Sequence, residues 1–128
     1  MKILSWLLRI IAAVILLQTL YFKFSAHPDS VYIFSEIGLE PYGRIGSGVA
    51  ELIVGIILLF MSNYIWLGAL GAMGIMTGAI FFHLTSLGID VHNDGGQLFY
   101  MAVVVWFAGL VLLILHKNQI PLAMFQKK

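Results

Sequence analysis

The chain has no cysteine among its 128 residues. That excludes a disulfide framework, a thiol nucleophile and the dithiol relay of membrane disulfide-forming enzymes. Any redox chemistry must therefore be carried by a bound cofactor. Charge is scarce too: Asp, Glu, Lys and Arg make up 10% of positions, against about 25% in ordinary soluble domains. There is no basic stripe, so nucleic-acid binding has no support. Proline occurs three times, at Pro28, Pro41 and Pro121. All three lie outside the long apolar runs, and no broken or sharply kinked span is expected.

What is present is apolar. Hydrophobic residues reach 61%, compared with about 45–50% in soluble domains. They collect in four blocks, Ile3 to Phe22, Ile45 to Met61, Ile65 to Leu84 and Leu98 to Leu115. At about 1.5 Å of rise per residue, each block matches a hydrocarbon core about 30 Å thick. A helix satisfies its own backbone in lipid, whereas a barrel needs many alternating strands that this sequence lacks. The sequence reads as an all-α integral membrane protein, a four-transmembrane-helix bundle forming one domain over residues 1–128. The first block is expected to be a retained span, not a cleaved signal: Arg9 interrupts it, its length is that of a full span, and Phe24-Ser25-Ala26 places a bulky residue where cleavage requires a small one. The Ser62-Asn63-Tyr64 connection is so short that the second and third helices must be antiparallel neighbours.

Four spans place both termini on one side. Lys2, Arg9, Lys117, Lys127 and Lys128 lie near the termini, while Asp29, Glu36, Glu40, Asp90 and Asp94 lie in the two other connections. The positive-inside rule makes the termini cytoplasmic and those connections external. Trp6, Tyr64 and Trp66 fit an inner aromatic belt, and Tyr21, Tyr42 and Tyr100 an outer one. In the first outer connection, Pro28 and Ser30 are helix-start signals and Gly38 a stop, with Val31, Phe34 and Ile37 on one face. A short interfacial helix is expected there. Asn93-Asp94-Gly95-Gly96 reads as a turn capping the fourth helix, and the tail from Ile120 to Lys128 as a surface-lying segment.

Within this frame Glu51 stands out, because it interrupts the second apolar block about 9 Å below its outer start. A charge at such a place costs about 2.5–3.5 kcal/mol on insertion scales and needs a partner. Arg44 precedes it by two helical turns on the same face, with Ser47 and Gly48 between. On the first helix Lys23 lies at the outer end and Gln18 somewhat deeper, and His83 is near the outer end of the third. These five residues are the candidates for one polar pocket serving ligand binding or proton relay. Each has a plainer reading: Lys23 and Arg44 as snorkelling cations, Gln18 as an interhelical hydrogen bond, His83 as a packing residue. For Glu51 the contest is between a structural ion pair and a functional acid or base. Gly48 and Gly55 on the second helix, and Gly68, Gly71, Gly74 and Gly78 on the third, favour close helix packing, with Gly74 and Gly78 in small-xxx-small spacing. His27, His83 and His92 lie on the outer side with Asp94, but their spacing matches no metal motif.

The chain resembles the DoxX-like family of small four-helix membrane proteins. The likeness is carried by Leu20-Tyr21-Phe22-Lys23-Phe24, Gly38-Leu39-Glu40-Pro41, Gly48-Val49-Ala50-Glu51-Leu52 with Gly55, and Ala79-Ile80-Phe81-Phe82-His83-Leu84. It covers about Leu8 to Leu115. The resemblance implies a four-helix bundle in the bacterial cytoplasmic membrane and a small accessory subunit in quinone-linked respiratory or sulfur-compound oxidation. Lys23, Glu51 and His83 match the family's polar pattern; Arg44 and Gln18 are included on spacing alone. The leading expectation is a pocket for a quinone, the candidate cofactor, or another lipid. The alternatives are a non-catalytic assembly subunit and, more weakly, a small lipid or solute transporter. The expected partners are the lipid bilayer, a quinone or lipid ligand, and other membrane subunits or a second copy of the chain.

Overall fold

The computed structural model describes residues 2–89 and 95–120. Five helices account for most of them: α1 (Lys2–Phe24), α2 (Pro28–Glu36), α3 (Tyr42–Phe60), α4 (Ile65–Phe82) and α5 (Gln97–Leu115). Among the described residues α1, α3, α5 and the helical stretch Ser62–Thr85 are long and apolar enough to cross a membrane. They correspond to the four apolar blocks, with ends displaced by up to three residues. The long helices pack as a ring, α1 against α3, α3 against α4, α4 against α5, and α5 back against α1. The start of α1, the α3–α4 connection and the end of α5 share one end of the bundle.

The core is built from small and branched residues recurring at helical spacing. Ala12 and Leu16 of α1 meet Val54 and Leu58 of α3, Ala69 and Ala72 of α4, and Val105 and Leu112 of α5. The outside is equally apolar: Ile3, Leu7, Val14, Ile53, Phe60, Phe81, Phe107 and Ile114 are all exposed. Large apolar residues facing outward along every long helix suit hydrocarbon rather than water.

Glycines let the backbones approach, though not where the small-xxx-small spacing suggests. A Cβ at Gly55 would lie 2.7 Å from Leu17, and one at Gly71 would lie 2.7 Å from Val54; Gly48 is closed by Phe24 and Gly68 by Leu58. A Cβ at Gly74 or Gly78 would meet nothing within 4 Å. Gly78 shares a face with Gly71, two turns further along, but at its level that face borders a cavity instead of α3; Gly74 is turned about 60° away from the Gly71 contact.

The long first connection forms a real helix, α2. His27 caps it, its Nδ1 accepting the Asp29 N–H at 3.1 Å. Pro28 occupies the first turn, where its missing N–H costs nothing. Gly38, with φ +76°, ends it by letting the Leu39 N–H return to the Phe34 carbonyl at 2.8 Å. Beyond α4 the chain widens into one π-helical turn, His83–Leu87, which the absence of proline from the span did not foretell. The turn before α5 lies only partly in the described residues: Gly95 and Gly96 have φ of +67° and +87°, with Gly96 as the helix cap. His92, Asn93, Asp94 and the tail beyond Ile120 lie outside the described residues.

Candidate ligand pocket

Glu51 is 2% exposed. Its Oε1 accepts from the Lys23 ammonium at 2.6 Å, an ion pair that ties α1 to α3. Thr19, one turn before Lys23 on α1, places its hydroxyl 2.9 Å from the same oxygen and 2.8 Å from the Leu16 carbonyl. Its single hydrogen serves one of the two at a time. Glu51 Oε2 makes no hydrogen bond among the described residues, and it is not sealed within protein atoms. The carboxylate is therefore half used by the fold and half open.

Arg44, also buried, works differently. Its Nε donates to Glu40 at 2.9 and 3.1 Å, and Nη1 donates to the Lys23 backbone carbonyl. That carbonyl belongs to the last turn of α1, where four acceptors lack intrahelical partners, so Arg44 caps α1 while paired with Glu40. Arg44 does not line the cavity that Glu51 faces. Glu40, four residues earlier, is nearer than Glu51 and claims the guanidinium.

His83 opens the π-helical turn. Its Nδ1 lies 2.9 Å from the Gly88 carbonyl, and its ring packs edge-on against Phe99. A carbonyl only accepts, so Nδ1 carries the hydrogen and Nε2 is the open position on the ring. Gly88, at φ +81°, is what lets the chain turn back and present that carbonyl. Gln18 donates to the Ile15 carbonyl of its own helix at 3.2 Å rather than to another helix.

Four of the five sequence candidates border one cavity of about 550 Å³: Gln18, Lys23, Glu51 and His83. Its walls are otherwise mainly apolar, including Leu16, Phe22, Met76, Phe82 and Met101. Helix α2 supplies Asp29, Ser30, Ile33 and Phe34 to it and its cap residue Ile37 follows, with the Phe34 ring centroid 5.5 Å from the Lys23 ammonium. The α2 face turned to the cavity thus begins at Asp29 and leaves out Val31. Gly78 also borders the space, so the open side of that glycine is cavity rather than helix contact. Thr19 and Glu40 were not singled out from sequence, although each stands four residues before a basic side chain that was. The volume and lining, apolar with a few convergent polar groups, are those of a small-molecule site, for which about 300–1,000 Å³ is usual. Among the described residues no group of three His, Cys, Asp or Glu is placed to hold a metal ion.

No protein-family model matches the chain, and neither curated proteins nor solved structures include a significant match. The resemblance to the DoxX-like family therefore rests on its short motifs.

Proposed function

We propose that this is a DoxX-like protein of the bacterial cytoplasmic membrane, with both termini in the cytoplasm and α2 lying at the outer interface as a roof. In this reading it is a quinone-linked redox accessory subunit, and its cavity holds the quinone head group. The observation that carries the reading is the 550 Å³ apolar cavity into which an ion-paired but half-open carboxylate, an ammonium and an imidazole are directed. A quinone needs an apolar slot for its ring and donors for its carbonyls; its reduced form needs acceptors for its hydroxyls. Lys23 has N–H donors beyond the one given to Glu51, while Glu51 Oε2 and His83 Nε2 accept. The chain's part is to orient the head group and to take or return a proton at Glu51. The electrons pass to or from a partner redox subunit.

The test is purification in mild detergent followed by mass spectrometry of the co-extracted lipids. Wild-type protein should retain a quinone that Glu51→Gln loses and His83→Ala weakens. Equal retention by wild type and both variants would refute the assignment.

The 2.6 Å ion pair between α1 and α3 supports a second reading, an assembly subunit whose Lys23–Glu51 pair only fastens the bundle. Exchanging the charges, Lys23→Glu with Glu51→Lys, separates the two. A purely structural pair recovers both accumulation and partner association in the double variant, whereas a ligand site recovers accumulation without ligand.

A further inference from the structure

The opposite end of the bundle holds a second polar space, and its chemistry is not that of the first. Arg9 is 3% exposed. Its Nε donates to the Leu58 carbonyl at 2.6 Å, Nη2 reaches the Ser62 hydroxyl at 3.4 Å, and the guanidinium carbon stacks 3.6 Å from the Trp6 ring centroid. None of these partners is an anion. The described acidic residues, Asp29, Glu36, Glu40 and Glu51, belong to the other half of the molecule. A guanidinium has five N–H donors, and Arg9 uses one well and one weakly; Nη1 has no acceptor among the described residues and is not sealed within protein atoms. The remaining donors border a cavity of about 340 Å³ lined by Lys2, Ser5, Trp6, Ser62, Leu115 and His116. Among the described residues two cations and two serine hydroxyls line it, and no carboxylate does.

We propose that this space is an anion site for a phosphate group, with Arg9 and Lys2 supplying charge, Ser62 supplying a hydroxyl, and Ser5 supplying a second when the His116 Nε2, 2.7 Å away, donates to it. A buried guanidinium without a counter-ion is costly unless something supplies one. A planar fork with open donors matches two phosphate oxygens at once. The geometry also suits access from the side. Ile3, Trp6 and Leu7 on the outer face of α1 are exposed apolar neighbours of the site, so a phosphate carried on acyl chains can enter with its chains against α1. Basic pockets between transmembrane helices are a known mode of anionic headgroup capture. The same chemistry accepts free phosphate, and the experiment distinguishes the two sources.

Full-length protein in mild detergent, freed of native lipid, is titrated with phosphatidylglycerol and with phosphatidylcholine and followed by native mass spectrometry. Phosphatidylcholine carries the same phosphate but adds a quaternary ammonium that Lys2 repels. One phosphatidylglycerol per chain should bind about tenfold more tightly than phosphatidylcholine, and Arg9→Gln should abolish the preference. Because Arg9 also anchors the end of α3, Lys2→Gln is the second variant; it leaves that anchor in place and should weaken the preference about fivefold. Inorganic phosphate is titrated in parallel. Competition with the lipid and stabilisation without it would assign the site to free phosphate, whereas binding of the lipid alone would assign it to a headgroup. Equal affinity for the two lipids with no effect of inorganic phosphate would overturn the proposal, as would a preference that both variants keep.

Discussion

Arg44 and Arg9 do the same work at opposite ends of the bundle. Each is buried, and each donates to a backbone carbonyl in the last turn of a neighbouring helix, Arg44 to Lys23 of α1 and Arg9 to Leu58 of α3. A helix C-terminus carries about half a negative charge on its unpaired carbonyls, so a guanidinium is a fitting cap at either end. The difference lies in what balances the rest of the charge. Arg44 has Glu40, and the neighbouring Lys23 has Glu51, so both of these cations at the α2 end are paired, and one Glu51 oxygen is to spare. Arg9 has only dipoles and a ring face. One fold thus tolerates buried cations in two ways, and the comparison teaches that the paired end is suited to a neutral ligand that exchanges protons, the unpaired end to an anion.

The largest effect should come from breaking a pair. Lys23→Met leaves Glu51 buried without its cation and should cost about 3–5 kcal/mol, read as lost thermal stability in detergent and reduced accumulation. Arg9→Met should cost less, about 1–3 kcal/mol, because it removes a lone charge and takes a donor only from the Leu58 carbonyl and, weakly, from the Ser62 hydroxyl. If Arg9→Met proved as damaging as Lys23→Met, the asymmetry between the ends would collapse. Smaller again is a pH effect at the Arg9 end. Burial first, and the Arg9 charge second, hold the His116 imidazole below its usual value. As pH falls through about 6.5 the unfolded chain takes up that proton before the folded one. The His116 contribution is thus intact above that pH and diminishes below it, until the lower folded value is passed. His116→Gln should remove this component from the pH profile of the melting temperature. The smallest stability change is expected from Gly78→Leu, whose side chain enters the first cavity without meeting a helix. Stability should hold or rise slightly with the better helix former, while quinone retention falls. A large loss of stability would show that this space is packed rather than open.

The sequence made the long helices legible because length and apolarity alone decide a span. The helix α2 was legible because proline, glycine and apolar spacing all pointed to one element. Counting residues placed Lys23 and Glu51 in the same outer half of the bundle, and a buried carboxylate has few options besides a nearby cation. Arg9 was harder: its acceptor is the main-chain carbonyl of Leu58, 49 positions away, and a backbone acceptor leaves no mark on composition. The role of Gly74 and Gly78 in α4 was misjudged because that helix is apolar all round, and no residue in it tells where packing against a neighbour gives way to a cavity. The widened turn at His83–Leu87 likewise gave no warning, since neither a proline nor a glycine falls within it.

The Lys23–Glu51 tie also bears on biogenesis. The two residues are 28 positions apart, so the cation is always synthesised before the carboxylate it neutralises. An α3 segment delivered alone to the bilayer would carry an unneutralised acid and an arginine. With α1 already waiting at the translocon, the acid meets its counter-charge as it emerges. The first and third helices are thus expected to enter lipid as a joined hairpin, with α2 folded across its mouth, before the remaining pair arrives.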